Sequence, residues 1–259
     1  MINLFFEKQS ARIEAGELVS YKVNDHEYIH QKGNPGWRNS DTEMFPIIGP
    51  TAEANFRVKT PKGMAVQDQH GLLREMEYTL VSSTTNSVVF KKEYKAGTAI
   101  KNSKFPAKSS QEFLQWPYDF EFNKTFKLSS DGLEVNFVIK GEQEMPFMLG
   151  YHPAFNLVTE KPVIITRDKK ITLDEVLAVG SRAYEVENCN KIQLKDKNTI
   201  AIKTEGFGSF MLWTEVKNMI CIEPITFYPY AVAQEKLHEG FTRLKNEKAV
   251  FKMFISIGK

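Results

Sequence analysis

The sequence predicts an all-β protein, a large antiparallel β-sandwich, and three observations support this class. Apolar and polar residues alternate with a period of two along several stretches. Short polar turns separate those stretches, and no long stretch keeps the three-to-four spacing of an amphipathic helix. At 259 residues, 42% of them hydrophobic, the chain can bury a large core without disulfides or structural metal. No repeat, linker or composition shift interrupts it, so residues 1–259 are expected to form a single domain.

The clearest strand is predicted between Phe120 and Leu128, where the even-numbered residues are apolar and the odd-numbered residues are polar. Lys124 is the one exception on the apolar side. The strand is followed by a polar turn ending in Asp131-Gly132 and then by a second alternating stretch from Leu133 to Ile139. We therefore predict an antiparallel hairpin here.

Further hairpins are predicted wherever two such stretches flank a short polar loop. They are Glu17 to Val23 with His26 to Gln31, Glu77 to Val81 with Val88 to Tyr94, and Ile200 to Thr204 with Ser209 to Thr214. The stretch from Ala249 to Ile257 is rich in Val, Phe and Ile and predicts a last strand. Helix is expected only as short turns, at Ser110 to Leu114 and at Glu235 to Glu239.

Charge and hydropathy exclude several classes of partner. The formal net charge is +2, from 34 basic and 32 acidic residues that are interspersed, so no basic stripe predicts a nucleic-acid partner. No window approaches the roughly 18 apolar residues of a membrane span. The amino-terminal apolar stretch is too short for a secretory signal, and we expect a cytoplasmic protein. Cys221 lies in an apolar run and Cys189 in a polar stretch, which indicates one buried thiol and one loop thiol.

Nucleotide and metal motifs are also missing from the sequence. It has no phosphate-binding loop, no Gly-x-Gly-x-x-Gly turn and no Gly-x-Ser-x-Gly elbow. His26 and His30 have the spacing of a helical metal site, but on a predicted strand they would lie about 13 Å apart. We therefore predict no metal site and no cofactor.

Several residues stand where a β scaffold commonly presents functional groups. His70 and His152 occupy strand-to-loop junctions, and Glu223 ends an apolar run immediately before a proline. A carboxylate at such a position is costly unless it is solvated, paired or used in chemistry. Trp213 can stack on a ligand. The alternative for each is structural: a hydrogen-bonded histidine, a rim glutamate or a core aromatic.

A set of segments follows the order found in aldose 1-epimerases, the galactose mutarotase-like family, and resembles its LacX-like branch most. The segments are Met44-Phe45-Pro46-Ile47-Ile48-Gly49, Gln69 to Glu77, Tyr118-Asp119-Phe120, Met145-Pro146-Phe147, Gly150 to Leu157, and Cys221-Ile222-Glu223-Pro224. The resemblance extends over about residues 2 to 257. It implies an antiparallel supersandwich with a carbohydrate cleft, and interconversion of the α and β anomers of an aldose without a cofactor.

The resemblance also implies roles for individual residues. His152 corresponds to the general acid of the family, and Glu223 corresponds to its general base. With the aromatic candidate included, the predicted substrate-binding residues are His70, Arg74, Arg38, Asn156 and Trp213. The expected partner is a small sugar, either an aldose or a sugar phosphate, and the expected assembly is a monomer or a homodimer.

The sequence departs from the family pattern at places that bear on the substrate. Leu72-Leu73 stand where Phe-Ala is usual, and Ile225 follows Glu223-Pro224 where Trp is usual. No residue between Asp168 and Asp196 clearly matches the family's sugar-binding aspartate. The sugar stays open, and so does a non-catalytic carbohydrate-binding protein on the same fold. A glycoside hydrolase would need two cleft carboxylates about 5 to 10 Å apart, and Glu223 has no obvious second partner in the sequence.

Overall fold

The computed structural model describes residues 1–258 and is built mainly from antiparallel strands, which confirms the predicted fold class. Within residues 1–258 the strands are, in chain order, β1 (Ile2–Phe6), β2 (Gln9–Glu14), β3 (Glu17–Val23), β4 (His26–Glu27), β5 (Glu43–Met44), β6 (Arg57–Thr60), β7 (Gly63–Val66), β8 (Thr79–Ser83), β9 (Ser87–Tyr94), β10 (Ile100–Lys101), β11 (Phe113–Leu114), β12 (Phe120–Ser129), β13 (Gly132–Gly141), β14 (Pro146–Phe147), β15 (Gly150–Tyr151), β16 (Ala154–Asn156), β17 (Val163–Ile165), β18 (Lys170–Thr172), β19 (Tyr184–Val186), β20 (Lys191–Lys195), β21 (Thr199–Glu205), β22 (Ser209–Trp213), β23 (Met219–Ile225), β24 (Thr242–Arg243) and β25 (Lys248–Gly258). Helix α1 spans Leu173–Val179. Short 3-10 turns span Ala52–Ala54, Leu73–Glu75, Gly180–Arg182, Pro229–Ala231 and Gln234–Gly240.

Two large sheets enclose the core. A nine-stranded sheet has the order β18-β17-β20-β21-β25-β13-β12-β9-β8. A six-stranded sheet has the order β19-β22-β23-β15-β5, in which β16 also pairs with β23. Phe137 of β13 packs on Tyr151 of β15, with ring centroids 5.0 Å apart, so the inner faces of the two sheets meet here. The candidate site residues lie on or beside the six-stranded sheet.

The hairpin around Asp131-Gly132 is confirmed as β12 and β13, whose register runs from Phe120 opposite Gly141 to Ser129 opposite Gly132. Lys124, the exception on the apolar face, is fully buried. Its Nζ lies 2.8 Å from Asp41 Oδ2 and 2.5 Å from Glu43 Oε1. The lysine therefore occupies the core as part of an ion-paired group, which a single-strand pattern does not show.

The other predicted hairpins have mixed outcomes. The pairings of β3 with β4 and of β8 with β9 are confirmed, as is the last strand β25, with bounds that differ by a few residues. The predicted pairing of Ile200–Thr204 with Ser209–Thr214 is wrong. β21 pairs with β20 and β25 in the nine-stranded sheet, whereas β22 pairs with β19 and β23 in the other. The two strands do not pair because the loop between them passes from one sheet to the other. Phe207 in this loop packs against Phe137 and Phe251 in the core.

Of the two helical turns predicted from the sequence, one is confirmed and one is wrong, and one helix was not predicted. Glu235 to Glu239 lies within a 3-10 helix, as predicted, but Ser110 to Leu114 does not form a helical turn. Instead Leu114 is buried and pairs with Ile100, so burial of an apolar side chain favours a short strand there. The sequence analysis did not predict α1. Its signal is a capping box, in which Thr172 and Glu175 satisfy each other's backbone N–H groups.

Both cysteines are free, with Cys221 buried and Cys189 partly exposed, as predicted. Within residues 1–258 no helix combines the length and the apolar character that crossing a membrane requires.

Candidate active site

Strand register brings His152 and Glu223 together from distant parts of the chain. Gly150 lies opposite Ile225 and Ala154 lies opposite Cys221, so the same antiparallel register sets His152 opposite Glu223. Directly opposite residues project from the same face of a sheet. His152 Nε2 accordingly lies 3.2 Å from Glu223 Oε1.

The backbone at His152 is fixed although it lies in a break between β15 and β16. Pro153, which has no N–H to donate, follows His152 in this break. The His152 N–H donates to Thr42 O at 2.8 Å, and the Thr42 N–H donates back to His152 O at 3.3 Å. The imidazole is therefore held on the sheet by main-chain hydrogen bonds to the segment that leads into β5.

His152 and Glu223 line a pocket of about 220 Å³. Its other walls include Trp37, Gln69, His70, Trp213 and Tyr230. A larger cavity of about 760 Å³ lies along β19, but its lining contains no histidine. We therefore assign the candidate site to the smaller pocket, where an acid and a base are adjacent.

His70 reaches this pocket from the tight loop before the 3-10 turn at Leu73–Glu75. The loop needs Gly71, because its φ is 71° and a Cβ there would collide with Phe45 O. Arg74 Nη1 lies 3.0 Å from His70 Nδ1. A guanidinium can only donate, so Nδ1 accepts and the neutral ring carries its proton on Nε2. Desolvation, together with the charges of His152 and Arg74, lowers the pKa of His70 well below its usual value.

Two indole rings flank the imidazole of His152. The Trp37 ring centroid lies 4.2 Å from that of His152, and the Trp213 ring approaches edge-on at 6.0 Å. Trp37 is itself held in place, since His30 Nε2 donates to Trp37 O at 2.8 Å. The sequence analysis missed Trp37, whose available signal was its position next to the predicted Arg38.

Three predicted substrate-binding residues, Arg38, Arg74 and Asn156, lie outside the lining of this pocket. Arg38 is exposed and does not contribute to the walls. Asn156 uses its amide group structurally, because Nδ2 donates to Ile29 O at 2.9 Å. The structure thus brings together His152, Glu223, His70 and Trp213 in one pocket, with Arg74 bonded to His70, and the catalytic and binding roles of all these residues, as of Arg38 and Asn156, stay predictions.

Burial moves the pKa values of the acid and base candidates in opposite directions. Desolvation, with a smaller contribution from Arg74, lowers the pKa of His152 to about 3. Desolvation raises the pKa of Glu223 well above its usual value. At neutral pH the His152 imidazole is therefore unprotonated, and burial disfavours the charged form of Glu223 as well.

The pair retains unused hydrogen-bonding capacity. Among the described residues, His152 Nδ1 and Glu223 Oε1 are buried without a hydrogen-bond partner. The 3.2 Å approach is thus a close contact without hydrogen-bond geometry. Buried polar atoms are rarely left unpaired, and orphaned atoms on pocket-lining residues indicate a place for a polar ligand.

Comparison with known proteins identifies the family. The sequence profile of the family "Aldose 1-epimerase" matches residues 16–209, so the chain belongs to this family. The matched stretch contains His70, Arg74 and His152 and ends before Glu223.

The chain also resembles two curated proteins. The plasmid and chromosomal LacX proteins of Lactococcus lactis subsp. lactis are both 29% identical to the chain, over 149 and 150 residues; the match covers 54% of this chain and 45% of each relative. The chain therefore spans about half the length of these relatives.

Three solved structures share the fold over nearly the whole chain. A galactose mutarotase-like protein from Lactobacillus casei ATCC 334 has a TM-score of 0.81 at 18% identity, with 100% of each chain covered. A galactose mutarotase related enzyme from Lactobacillus acidophilus has a TM-score of 0.73 at 21% identity, covering 98% of this chain and 96% of that one. The GalM/aldose epimerase homologue from C. elegans has a TM-score of 0.67 at 9% identity, covering 99% and 98%. At these identities the likeness concerns the fold alone.

Proposed function

We propose that the protein is an aldose 1-epimerase that interconverts the α and β anomers of a sugar by general acid/base catalysis. The observation that carries the proposal is the adjacency of His152 Nε2 and Glu223 Oε1, 3.2 Å apart, on the lining of one pocket. The two oxygens that exchange protons in a cyclic hemiacetal are bonded to the same carbon. An acid and a base side by side on one sheet face can reach both oxygens at once.

The proton movements follow from this geometry. In ring opening the base removes the proton of the anomeric hydroxyl, the acid protonates the ring oxygen, and the bond from the ring oxygen to C1 breaks. The C1–C2 bond then rotates, and closure on the other face reverses both transfers. With Glu223 as base and His152 as acid, opening turns the ion-paired form into the neutral form, and closure restores it.

The burial of the pair bears directly on this cycle. The ion-paired form and the neutral form of the His152–Glu223 pair each carry one proton. Desolvation favours the neutral form, in which His152 is unprotonated and Glu223 is protonated. Because the roles of acid and base alternate in each turnover, the same pair serves both directions.

The rest of the pocket supports binding of a single sugar ring. The His70 tautomer leaves Nε2–H free to donate to a hydroxyl oxygen, since Arg74 occupies Nδ1. Trp37 and Trp213 supply apolar surface for the C–H faces of a sugar. A pocket of about 220 Å³ suits a monosaccharide better than a polysaccharide chain.

Anomer exchange measured by NMR tests this function directly. A panel of aldoses and aldose 6-phosphates is dissolved fresh, and the spontaneous rate in the same buffer is subtracted. We expect the protein to accelerate exchange for at least one member of the panel. Saccharide binding without acceleration of any member would contradict the proposal and favour a non-catalytic carbohydrate-binding protein.

A further inference from the structure

We propose that His152, Cys221 and Glu223 form a binding site for a thiophilic divalent cation such as Zn²⁺, and that occupation of this site inhibits the protein. One imidazole nitrogen, the Cys221 Sγ and one carboxylate oxygen all lie within 4.8 Å of one another. All three residues are buried. The proposed proton transfer uses two of them and leaves the thiol without a role.

The same sheet register that pairs His152 with Glu223 adds the thiol. Cys221 and Glu223 are two residues apart on β23, so both project from the same face. Opposite Cys221 lies Ala154, whose small side chain packs beside the thiol. The three donor groups therefore converge although His152 is far away in sequence.

Unsatisfied polar atoms provide a second, independent observation. Glu223 is 1% exposed, and its Oε1 has no hydrogen-bond partner among the described residues. The buried Nδ1 of His152 is also unpartnered. Such atoms are costly to leave unpaired, and a cation bound by Glu223 removes this cost for Oε1 by accepting its lone pair.

The donor set matches the preferences of zinc and cobalt. Zn²⁺ binds thiolate, imidazole and carboxylate ligands at about 2.0 to 2.3 Å, which keeps tetrahedral ligand atoms less than about 4 Å apart. Tetrahedral ligands at these bond lengths are about 3.5 Å apart, so donor atoms that lie within 4.8 Å of one another need to approach by up to about 1.3 Å. Metal ligation requires the thiolate and the carboxylate, whose two negative charges together neutralise those of the cation. Two of the three donor residues, His152 and Glu223, line the candidate pocket.

Inhibition follows because the cation and the substrate compete for the same lone pairs. A metal on His152 and Glu223 leaves neither group free to accept or donate a proton. This consequence depends on the proposed epimerase function, whereas metal binding does not.

Cobalt spectroscopy tests the binding site without reference to activity. The metal-free protein is titrated with Co²⁺, and a thiolate-to-cobalt charge-transfer band in the near ultraviolet reports a sulfur ligand. We expect saturation at one Co²⁺ per chain, loss of the band in Cys221→Ser and in Cys221→Ala, and retention of the band in Cys189→Ser, the matched control for the other thiol. Circular dichroism and thermal unfolding establish that each variant is folded. Absence of the band from the unmodified protein, or its persistence in both folded Cys221 variants, would overturn the site.

Zinc inhibition of anomer exchange tests the consequence. Zn²⁺ is expected to abolish exchange and EDTA to restore it, while Cys221→Ser keeps its rate and requires at least about tenfold more Zn²⁺ for inhibition. An active protein that binds Co²⁺ through Cys221 but is insensitive to Zn²⁺ would contradict the inhibitory role. If the metal-free protein does not catalyse exchange, the proposed function is wrong, and the cobalt band alone decides the metal site.

Discussion

The burial of Glu223, the proposed catalytic base, makes the stability of the protein depend on pH. Its carboxyl is 1% exposed, and desolvation raises its pKa well above the ordinary value. Above the pKa of an unfolded glutamate, the unfolded chain releases this proton while the folded chain retains it. Stability linked to Glu223 is therefore complete at low pH and is lost as the pH rises.

We expect Glu223→Gln to unfold at a higher temperature than the unmodified protein at neutral pH. Glutamine cannot ionise, so the difference in Tm should grow from about pH 4 to pH 8. Thermal unfolding of both proteins across this range measures it. Glu205→Gln, at an exposed end of β21, is the control and should follow the unmodified protein. A constant difference across the range would show that Glu223 is not held protonated in the folded state.

Arg74 and Arg38 allow binding to be separated from chemistry. Arg74 lies outside the pocket lining but bonds His70, which lines the pocket, whereas Arg38 is exposed and outside the lining. A contact from His70 to a sugar hydroxyl would exist in the ground state and the transition state alike, so Arg74→Ala, which frees His70, should mainly raise KM for anomer exchange. Arg38→Ala should change KM less. Equal effects of the two substitutions would argue that the sugar extends beyond this pocket toward Arg38.

At the scale of strands, local sequence identified the elements better than their partners. Alternation located β12 and β13 and their turn, because a short hairpin is specified by neighbouring residues. It failed for β21 and β22, whose loop places Phe207 in the core and sends the strands into different sheets. Passage of the chain from one sheet to the other depends on packing between the sheets, which the alternation of apolar and polar residues within one strand does not reveal.

Lys124 on β12 ties the nine-stranded sheet to the segment that holds His152. Its ammonium contacts Asp41 and Glu43, and Tyr151 donates to Asp41 Oδ2 at 2.6 Å. Tyr151 immediately precedes His152. This buried group of charges therefore supports the strand from which the imidazole projects.

We expect Lys124→Met to destabilise the protein by about 3–5 kcal/mol, because it leaves two buried carboxylates without their cation. Lys127→Met is the matched control, since Lys127 lies on the same strand but is exposed, and its effect should stay within about 0.5 kcal/mol. Urea unfolding gives both values. A similar free energy of unfolding for the two variants would mean that the buried ion pairs contribute little.

For the whole molecule, resemblance to a family located the site where physical patterns alone did not. Bare sequence left His152 and Glu223 open to structural roles, and their contact depends on a register between strands that are remote in the chain. The same register brings Cys221 close to this pair. Because His152 is far from Cys221 and Glu223 in the sequence, the three residues show no metal-ligand spacing there. Trp37 was missed because a loop aromatic carries no periodic signal. Each of these features depends on tertiary structure.

Exhaustive chelation should leave anomer exchange at its full rate. In the proposed mechanism His152 and Glu223 supply both proton-transfer groups, and a cation at the proposed metal site inhibits. The rate is compared before and after dialysis against EDTA, with a sample dialysed without chelator as the control. Loss of activity that one added metal restores would show that a cation takes part in the reaction.

The most direct test of the central proposal is the rate of anomer exchange in Glu223→Gln and His152→Asn at matched pH. Each substitution removes one proton-transfer group, so we expect kcat to fall by about 10²–10⁴-fold in each variant, while Glu205→Gln keeps the unmodified rate. Circular dichroism confirms that the variants are folded. A folded Glu223→Gln variant that exchanges anomers as fast as the unmodified protein would contradict the assignment of this pair as the catalytic acid and base.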